Sequence, residues 1–126
     1  MTYVDGFIIP VPKGKIDAYR EMAENAGKIW MAHGALSYKE CVLEDAEPEL
    51  PEDAPEAFKL RLFPGLVGAK SGETVIFAFI IFKSRTHRDE VNKKVMADSR
   101  MKCDDNDMPF DPSRMAYGGF EALVDL

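Results

Sequence analysis

The strongest strand signal in this sequence is TVIFAFIIF, residues 74–82, which follows the turn-forming pair Ser71-Gly72. β-Branched and aromatic residues dominate the run, and no charged residue interrupts it. Apolar side chains therefore lie on both faces of this strand, and each face needs cover from the rest of the chain or from a partner. The run predicts a strand inside a sheet that is buried on both sides.

Three elements are predicted on the N-terminal side of this strand. The first is a strand over Tyr3–Val11, which is rich in β-forming residues. The second is a helix over Gly14–His33, because apolar residues recur there at spacings of three and four: Ile16, Tyr19, Ala23, Ala26 and Trp30. Gly34 suits the left-handed cap that ends many helices, and a strand over Ala35–Leu43 follows.

Residues 44–72 are predicted to form an acidic, irregular insertion, because their prolines and acidic side chains disfavour regular structure. Within it, Phe58–Val67 fits either a strand or an interrupted helix. After the apolar run, Ser84 can cap a helix from Arg85 to about Ser99. The last strand is predicted over Arg114–Val124.

The element order is β-α-β-loop-β-α-β, which predicts one domain over residues 1–126. This order is typical of the ferredoxin-like βαββαβ arrangement, an α+β fold with a four-stranded antiparallel sheet and both helices on one face. Its second sheet face is also apolar, to judge from 74–82 and 114–124, and apolar surface of that extent is unusual on a monomer. We therefore expect a homodimer in which two sheets close face to face into a barrel.

The net charge of −6 comes from one segment, residues 44–56, which carries seven of the 22 acidic residues and no Lys or Arg. The rest of the chain has 16 basic and 15 acidic residues, since 22 minus 7 leaves 15. The acidic segment predicts a solvated loop, with a docking tail or a cation site as the alternatives. No basic stripe stands out, so nucleic acid is not an expected partner.

The cysteines, the apolar runs and the first residues also indicate the cellular compartment of the protein. Cys41 and Cys103 lie 62 positions apart, which excludes a disulfide scaffold and a CxxC site. No apolar run approaches the roughly 20 residues needed to span a bilayer, and the first residues lack the pattern of a secretory signal. We expect a cytoplasmic protein that does not bind membranes.

Several blocks of the sequence resemble the YbaA-like bacterial family, domain of unknown function 1428. They are VDGF (4–7), HGAL (33–36), KVMADSRM (94–101), MPFD (108–111) and RMAYGGFE (114–121). The resemblance implies the dimeric α+β barrel fold, and it brings no catalytic residue and no cofactor, because the family has no settled activity. The chain departs from the family pattern at Ser99, where proline is expected, and in the longer, more acidic 44–72 region.

Five residues are candidates for a site. His33, at a helix end, is either a cap or a general base at the mouth of a pocket. Arg114 and Tyr117, at an odd spacing, are expected on opposite faces of the last strand. Arg114 is either a structural ion-pair partner or a ligand-binding group. Gly118 and Gly119 indicate tight packing or a pocket floor.

The acids available to pair with Arg114 are Asp5, Glu40 and Glu121. No metal site is predicted, because His33 and His87 have no evident third ligand and the aspartates near 104–111 do not follow the EF-hand pattern.

The sequence predicts a binding protein for a small apolar or weakly anionic molecule, held between sheet and helices without a cofactor. A cofactor-independent monooxygenase or small isomerase is an alternative, with His33, Tyr117 and Arg114 as its candidate residues. A non-catalytic interaction protein is a further alternative. Whether the protein is an enzyme stays open at this point.

Overall fold

The computed structural model describes residues 1–47, 52–53, 55, 61–101 and 108–126. This part of the chain forms an α+β fold of four strands and three helices: β1 (Tyr3–Pro12), α1 (Ile16–Ala32), β2 (Ser37–Val42), α2 (Phe63–Val67), β3 (Glu73–Phe82), α3 (Arg85–Ala97) and β4 (Ala116–Glu121). Short 3-10 turns precede α1 and β4 and follow α3. Among the described residues, no helix is both long and apolar enough to cross a bilayer.

The sheet has the strand order β2-β3-β1-β4, and each pair of neighbours is antiparallel. Its centre is the β1–β3 pair, in which Tyr3 lies opposite Phe82 and Pro12 lies opposite Glu73. The predicted apolar run is thus an interior strand with a neighbour on each side. The predicted antiparallel, four-stranded sheet is confirmed within the described residues.

The two long helices, α1 and α3, cover one face of the sheet, here called the helix face. Side chains alternate along each strand, so every second residue of β1 and β3 points to this face. In one half of the core, strand residues pack against α1 and α3. Its buried residues are Tyr3, Ile80 and Phe82 from the sheet and Ile29, Val91 and Val95 from the helices. The other half lies under the start of α1 and contains Ile9, Val11, Ile76, Ala78, Tyr19 and Ala23.

The helix ends follow the signals in the sequence. Ser84 caps α3, because its hydroxyl oxygen accepts a hydrogen bond from the backbone N–H of His87 at 3.1 Å. After α1, Gly34 adopts a φ of 113°, a backbone conformation that is unfavourable for residues with a Cβ atom. Both helices therefore end or begin where the cap residues require it.

The opposite side of the sheet, here called the open face, is partly covered by α2. Residues 44–72 were expected to be irregular, but this helix lies within them and is closed by Gly68 in the left-handed conformation. The ring of Phe63 stacks on Phe77, whose side chain points away from the helix face, at 6.1 Å between centroids. Pro10 and Val75 are buried on the same side. The two helices predicted outside this segment, α1 and α3, lie together on the helix face, and α2 is an additional helix that covers one end of the open face.

The rest of the open face is apolar and exposed. Phe77 is 41% exposed and Phe120 is 60% exposed. Phe58 and Leu60, for which strand and helix were both considered, lie outside the described residues. The helix reading is confirmed for Phe63–Val67 alone.

The last strand is shorter than predicted, since β4 covers Ala116–Glu121 rather than Arg114–Val124. Pro112–Arg114 form a 3-10 turn, and the Asp111 carboxylate caps it by accepting a hydrogen bond from the N–H of Ser113. Arg114 is therefore not a strand residue, and the odd-spacing argument that placed it opposite Tyr117 is wrong.

The glycine pair in β4 is required by close packing. A Cβ atom on Gly118 would lie 2.7 Å from the ring of Phe120, and one on Gly119 would lie 3.1 Å from Cζ of the buried Tyr3. Neither glycine has a positive φ, so space rather than backbone conformation sets this requirement. The contact with the buried Tyr3 favours tight packing at Gly119, whereas the ring next to Gly118 belongs to Phe120, which is 60% exposed.

Replacing Gly119 by alanine should destabilise the fold, because the ring of Tyr3 is buried and cannot move aside freely. We expect Gly119→Ala to lower the free energy of unfolding by about 1–3 kcal/mol, as overpacking does elsewhere. Gly14→Ala is the matched control, since a Cβ there meets nothing within 4 Å. Urea denaturation should separate the two variants; equal midpoints would contradict this account of the packing.

Candidate functional site

Two neighbouring cavities lie between the sheet and the helices. The outer cavity, of about 320 Å³, lies between α1 and β2 and is lined by Ile16, Ala23, Val42 and Ile76 among others. The inner cavity, of about 230 Å³, lies deeper under α1 and is lined mainly by aromatic, aliphatic and methionine side chains, including Phe7, Ile9, Met22, Trp30, Ile80 and Met101. Both cavities share three lining residues: Tyr19, Tyr38 and Glu40.

These three residues form a hydrogen-bonded group, here called the Tyr–Glu–Tyr cluster. The hydroxyl of Tyr19 donates to Oε2 of Glu40 at 2.8 Å. The hydroxyl of Tyr38 donates to Oε1 of the same carboxylate at 2.7 Å. Each carboxylate oxygen thus accepts one tyrosine proton, and the group forms the polar part of a largely apolar wall.

The local structure explains why these residues meet. Tyr38 and Glu40 are two residues apart on β2, so both side chains point to the helix face. Tyr19 lies on the buried side of α1. Gly27 of α1 makes room for the ring of Tyr38, since a Cβ at Gly27 would lie 2.7 Å from that ring.

The ionisation of the cluster follows from its burial. Burial raises the pKa of Glu40 above its ordinary value, while the hydrogen bonds from the two tyrosines act in the opposite direction. Burial, with the nearby charge of Glu40, also raises the pKa values of Tyr19 and Tyr38. Both hydroxyls therefore keep their protons at neutral pH and act as donors to the carboxylate.

His33, the predicted general base, lies away from both cavities. It follows the last residue of α1, and its Nε2 is 2.8 Å from Oδ2 of Asp98. Arg100 also bonds this carboxylate, at 2.6 Å, and lowers the pKa of Asp98. The contact joins the end of α1 to the end of α3.

Tyr117 belongs to a second polar group on the helix face. Its hydroxyl donates to Oδ1 of Asp5 at 2.9 Å, and Arg88 of α3 donates to the same oxygen at 2.7 Å. The guanidinium of Arg88 also lies 4.9 Å from the ring centroid of Tyr3. Asp5 is 4% exposed, so this buried carboxylate is paired with a cation.

Arg114 pairs with an acid that the sequence analysis did not consider. Its guanidinium donates to both carboxylate oxygens of Glu73, at 2.6 and 2.8 Å, and to the carbonyl oxygen of Gly68 at 2.8 Å. The proposed partners Asp5, Glu40 and Glu121 were therefore wrong. The 3-10 turn that removes Arg114 from β4 also brings it to the start of β3.

The predicted site residues are thus spread over separate places. Tyr117 and Gly118 border a hollow of about 210 Å³, whereas Arg114 borders a different one of about 300 Å³ with Lys15 and Asp111. His33 borders neither. The catalytic and ligand-binding roles given to these residues stay untested predictions, and His33, Tyr117 and Arg114 do not converge on one pocket.

The sequence analysis missed the Tyr–Glu–Tyr cluster. It treated Tyr19 as part of an apolar helix face and Glu40 only as a partner for Arg114. Two signals were present: the polar pair Tyr38-x-Glu40 on one strand face, and Gly27 in the middle of a helix. Within the described ranges, no group of three or more His, Cys, Asp or Glu side chains could hold a metal ion. Cys103 and the aspartates at 104, 105 and 107 lie outside those ranges.

The fold and this site define an α+β protein with a polar cluster set in a cavity between sheet and helices. Residues 2–112 match the family described as "Protein of unknown function (DUF1428)", and the chain belongs to this family. It is 42% identical over 125 residues to "Uncharacterized protein YbaA" of Escherichia coli strain K12, and the match covers 99% of both chains. Proteins of the same name from Escherichia coli O157:H7 and Shigella flexneri match equally. The resemblance seen in the sequence blocks is confirmed.

The ion pair of Arg114 with Glu73 should contribute to stability in a pH-dependent way. Hydrogen bonds from Arg114, the larger cause, and from the backbone N–H of Lys70 lower the folded-state pKa of Glu73 to about 2, from an ordinary value of 4.5. The stabilisation is therefore complete above pH 4.5 and is lost as the pH falls towards 2. We expect Arg114→Met to be less stable than the wild type at neutral pH, and this difference to shrink across that window in urea denaturation.

Arg20→Met is the matched control, because it removes an exposed pair with Asp17, with side chains 71% and 94% exposed. Such pairs contribute little, so its midpoint should stay close to that of the wild type at each pH. A stability loss in Arg114→Met that persists down to about pH 2 would contradict the role given to Glu73.

Proposed function

We propose that this protein is a homodimer that binds a small, mainly apolar molecule in the cavities between its sheet and helices. The observation that carries this proposal is the Tyr–Glu–Tyr cluster at the wall shared by the two cavities. Binding pockets for small molecules typically combine a volume of about 300–1,000 Å³ with an apolar lining and a few well-placed polar groups. The outer cavity, at about 320 Å³, is in this range, and the inner cavity adjoins it.

The ferredoxin-like arrangement is part of this proposal. The strand order β2-β3-β1-β4 with antiparallel neighbours, and two long helices on the helix face, support it. In this arrangement α2 is an addition on the open face. The exposed apolar residues that α2 leaves uncovered support a second copy of the sheet as the partner, closing a dimeric barrel.

A second candidate function is proton transfer without a cofactor, as in a small isomerase. The observation that favours it is Glu40, a carboxylate in a cavity whose pKa is raised by burial. A raised pKa brings a carboxylate closer to the range in which it exchanges protons with a substrate. This candidate would place the general base at Glu40 rather than at His33 or Tyr117.

The dimer predicts that a charge on the open face separates the subunits. Wild-type protein should sediment as a dimer at micromolar concentration, and Phe120→Glu should sediment as a monomer because it would bury a carboxylate between apolar sheets. Met31→Glu is the control, since Met31 is 45% exposed on α1 and lies outside the open face. A wild-type monomer, or a dimer unaffected by Phe120→Glu, would contradict this assembly.

The cavity predicts that small apolar molecules stabilise the protein. In a thermal-shift screen of uncharged aromatic and alicyclic compounds, we expect binders that raise the melting temperature of the wild type in a concentration-dependent way. Val42→Trp should abolish these shifts, because Val42 lines the outer cavity and is 53% exposed, so an indole there blocks the entrance while the strand tolerates it.

Asn25→Trp provides the control for that variant, because Asn25 is an exposed residue of α1 outside both cavities. Its shifts should equal those of the wild type. A screen without any binder, or binders unaffected by Val42→Trp, would show that the outer cavity does not take up such molecules.

A further inference from the structure

In the Tyr–Glu–Tyr cluster, both tyrosine hydroxyls donate their protons to the same carboxylate. Both tyrosine hydroxyl protons already point to Glu40, at 2.8 and 2.7 Å. An ionised carboxylate accepts only, and a hydroxyl whose proton is committed can still accept through its oxygen. The hydrogen-bonding capacity that the cluster has left for a ligand is therefore acceptor capacity.

The charge of the cluster is also uncompensated by a cation. Asp5, a buried carboxylate on the helix face, is bonded by Arg88 at 2.7 Å. Within the described part of the chain, Glu40 is bonded by the two uncharged tyrosines alone. At the rim of the outer cavity, Arg20 is 71% exposed and is paired with Asp17. Within the described residues, a ligand that reaches the cluster thus meets a carboxylate to which no basic side chain is bonded.

From these two observations we infer that the cavity selects an apolar ligand that carries an uncharged hydrogen-bond donor, such as a phenol-like hydroxyl, and rejects the corresponding carboxylate. This inference rests on the proposed function. The donor completes the acceptor sites of the cluster, and the apolar ring packs in the outer cavity against side chains such as Ile16, Ala23 and Ile76. An anion would find no free proton on the cluster and would be repelled by Glu40. The "weakly anionic" ligand that the sequence left open is thereby disfavoured.

The test compares two probes with one ring system, 2-naphthol and 2-naphthoate, by calorimetric titration at neutral pH. The hydroxyl of the first is uncharged there, and the second is ionised. We expect the wild type to bind 2-naphthol at least about tenfold more tightly, the size of effect that one hydrogen bond to a charged group gives in proteins. Val42→Trp should abolish both interactions, which places them in the cavity.

Glu40→Gln tests the cause of the preference. The amide removes the charge and presents its own N–H donors, and it forces at least one tyrosine to turn its proton away. The ratio of the two dissociation constants should therefore fall towards one. Glu21→Gln is the matched control, because Glu21 is an exposed residue of α1 that lines neither cavity. Its ratio should equal that of the wild type.

The outcomes separate this inference from the proposed function. Equal or tighter binding of 2-naphthoate by the wild type, with sensitivity to Val42→Trp, would overturn the inference and leave the binding function standing. A preference that survives in Glu40→Gln would also overturn it, since the carboxylate would then not be its source. Binding of neither probe would overturn the inference, while the thermal-shift screen decides separately whether the cavity binds anything.

Discussion

The structure depends on one constraint: β3 is apolar on both sides and must be covered on both sides. On the helix face, α1 and α3 provide this cover, and residues such as Phe82 become fully buried. On the open face, α2 covers one end of the sheet, where Val75 is buried, and leaves Phe77 partly exposed. An uncovered apolar area of this kind is the physical reason to expect a second subunit against it.

The same layering forces polar groups into a nearly dry space between sheet and helices. The carboxylates of Asp5 and Glu40 lie there, and their hydrogen-bond partners differ in charge. Asp5 is satisfied by Arg88 and Tyr117 and so forms a closed, neutral group that ties α3 to β1 and β4. Glu40 is bonded by uncharged tyrosines beside a cavity, and burial raises its pKa. Within the described residues no cation is bonded to Glu40, and this distinguishes it from Asp5.

The elements were largely predictable because their signals are local. Runs of β-branched and aromatic residues gave the central strands, the spacing of three and four gave α1, and Ser84 and Gly34 marked helix ends. The errors arose where the local sequence was compatible with two different secondary structures. Arg114 follows Pro112 and Ser113, which Asp111 caps into a turn, so it left the strand that apolar composition had suggested. In the segment 58–67 the apolar spacing fitted both a strand and a helix, and the short α2 formed there packs Phe63 against Phe77 of the open face.

By itself, the sequence determined the order of the elements, the double-sided apolar character of β3 and the resemblance to the family, because periodicity and short sequence motifs can be read along the chain. Only the tertiary structure decided which polar residues meet. Tyr19 and Glu40 are 21 positions apart, and Arg88 and Asp5 are 83 apart. Such pairings depend on strand register and on how α1 and α3 lie across the sheet, and no local pattern carries that information.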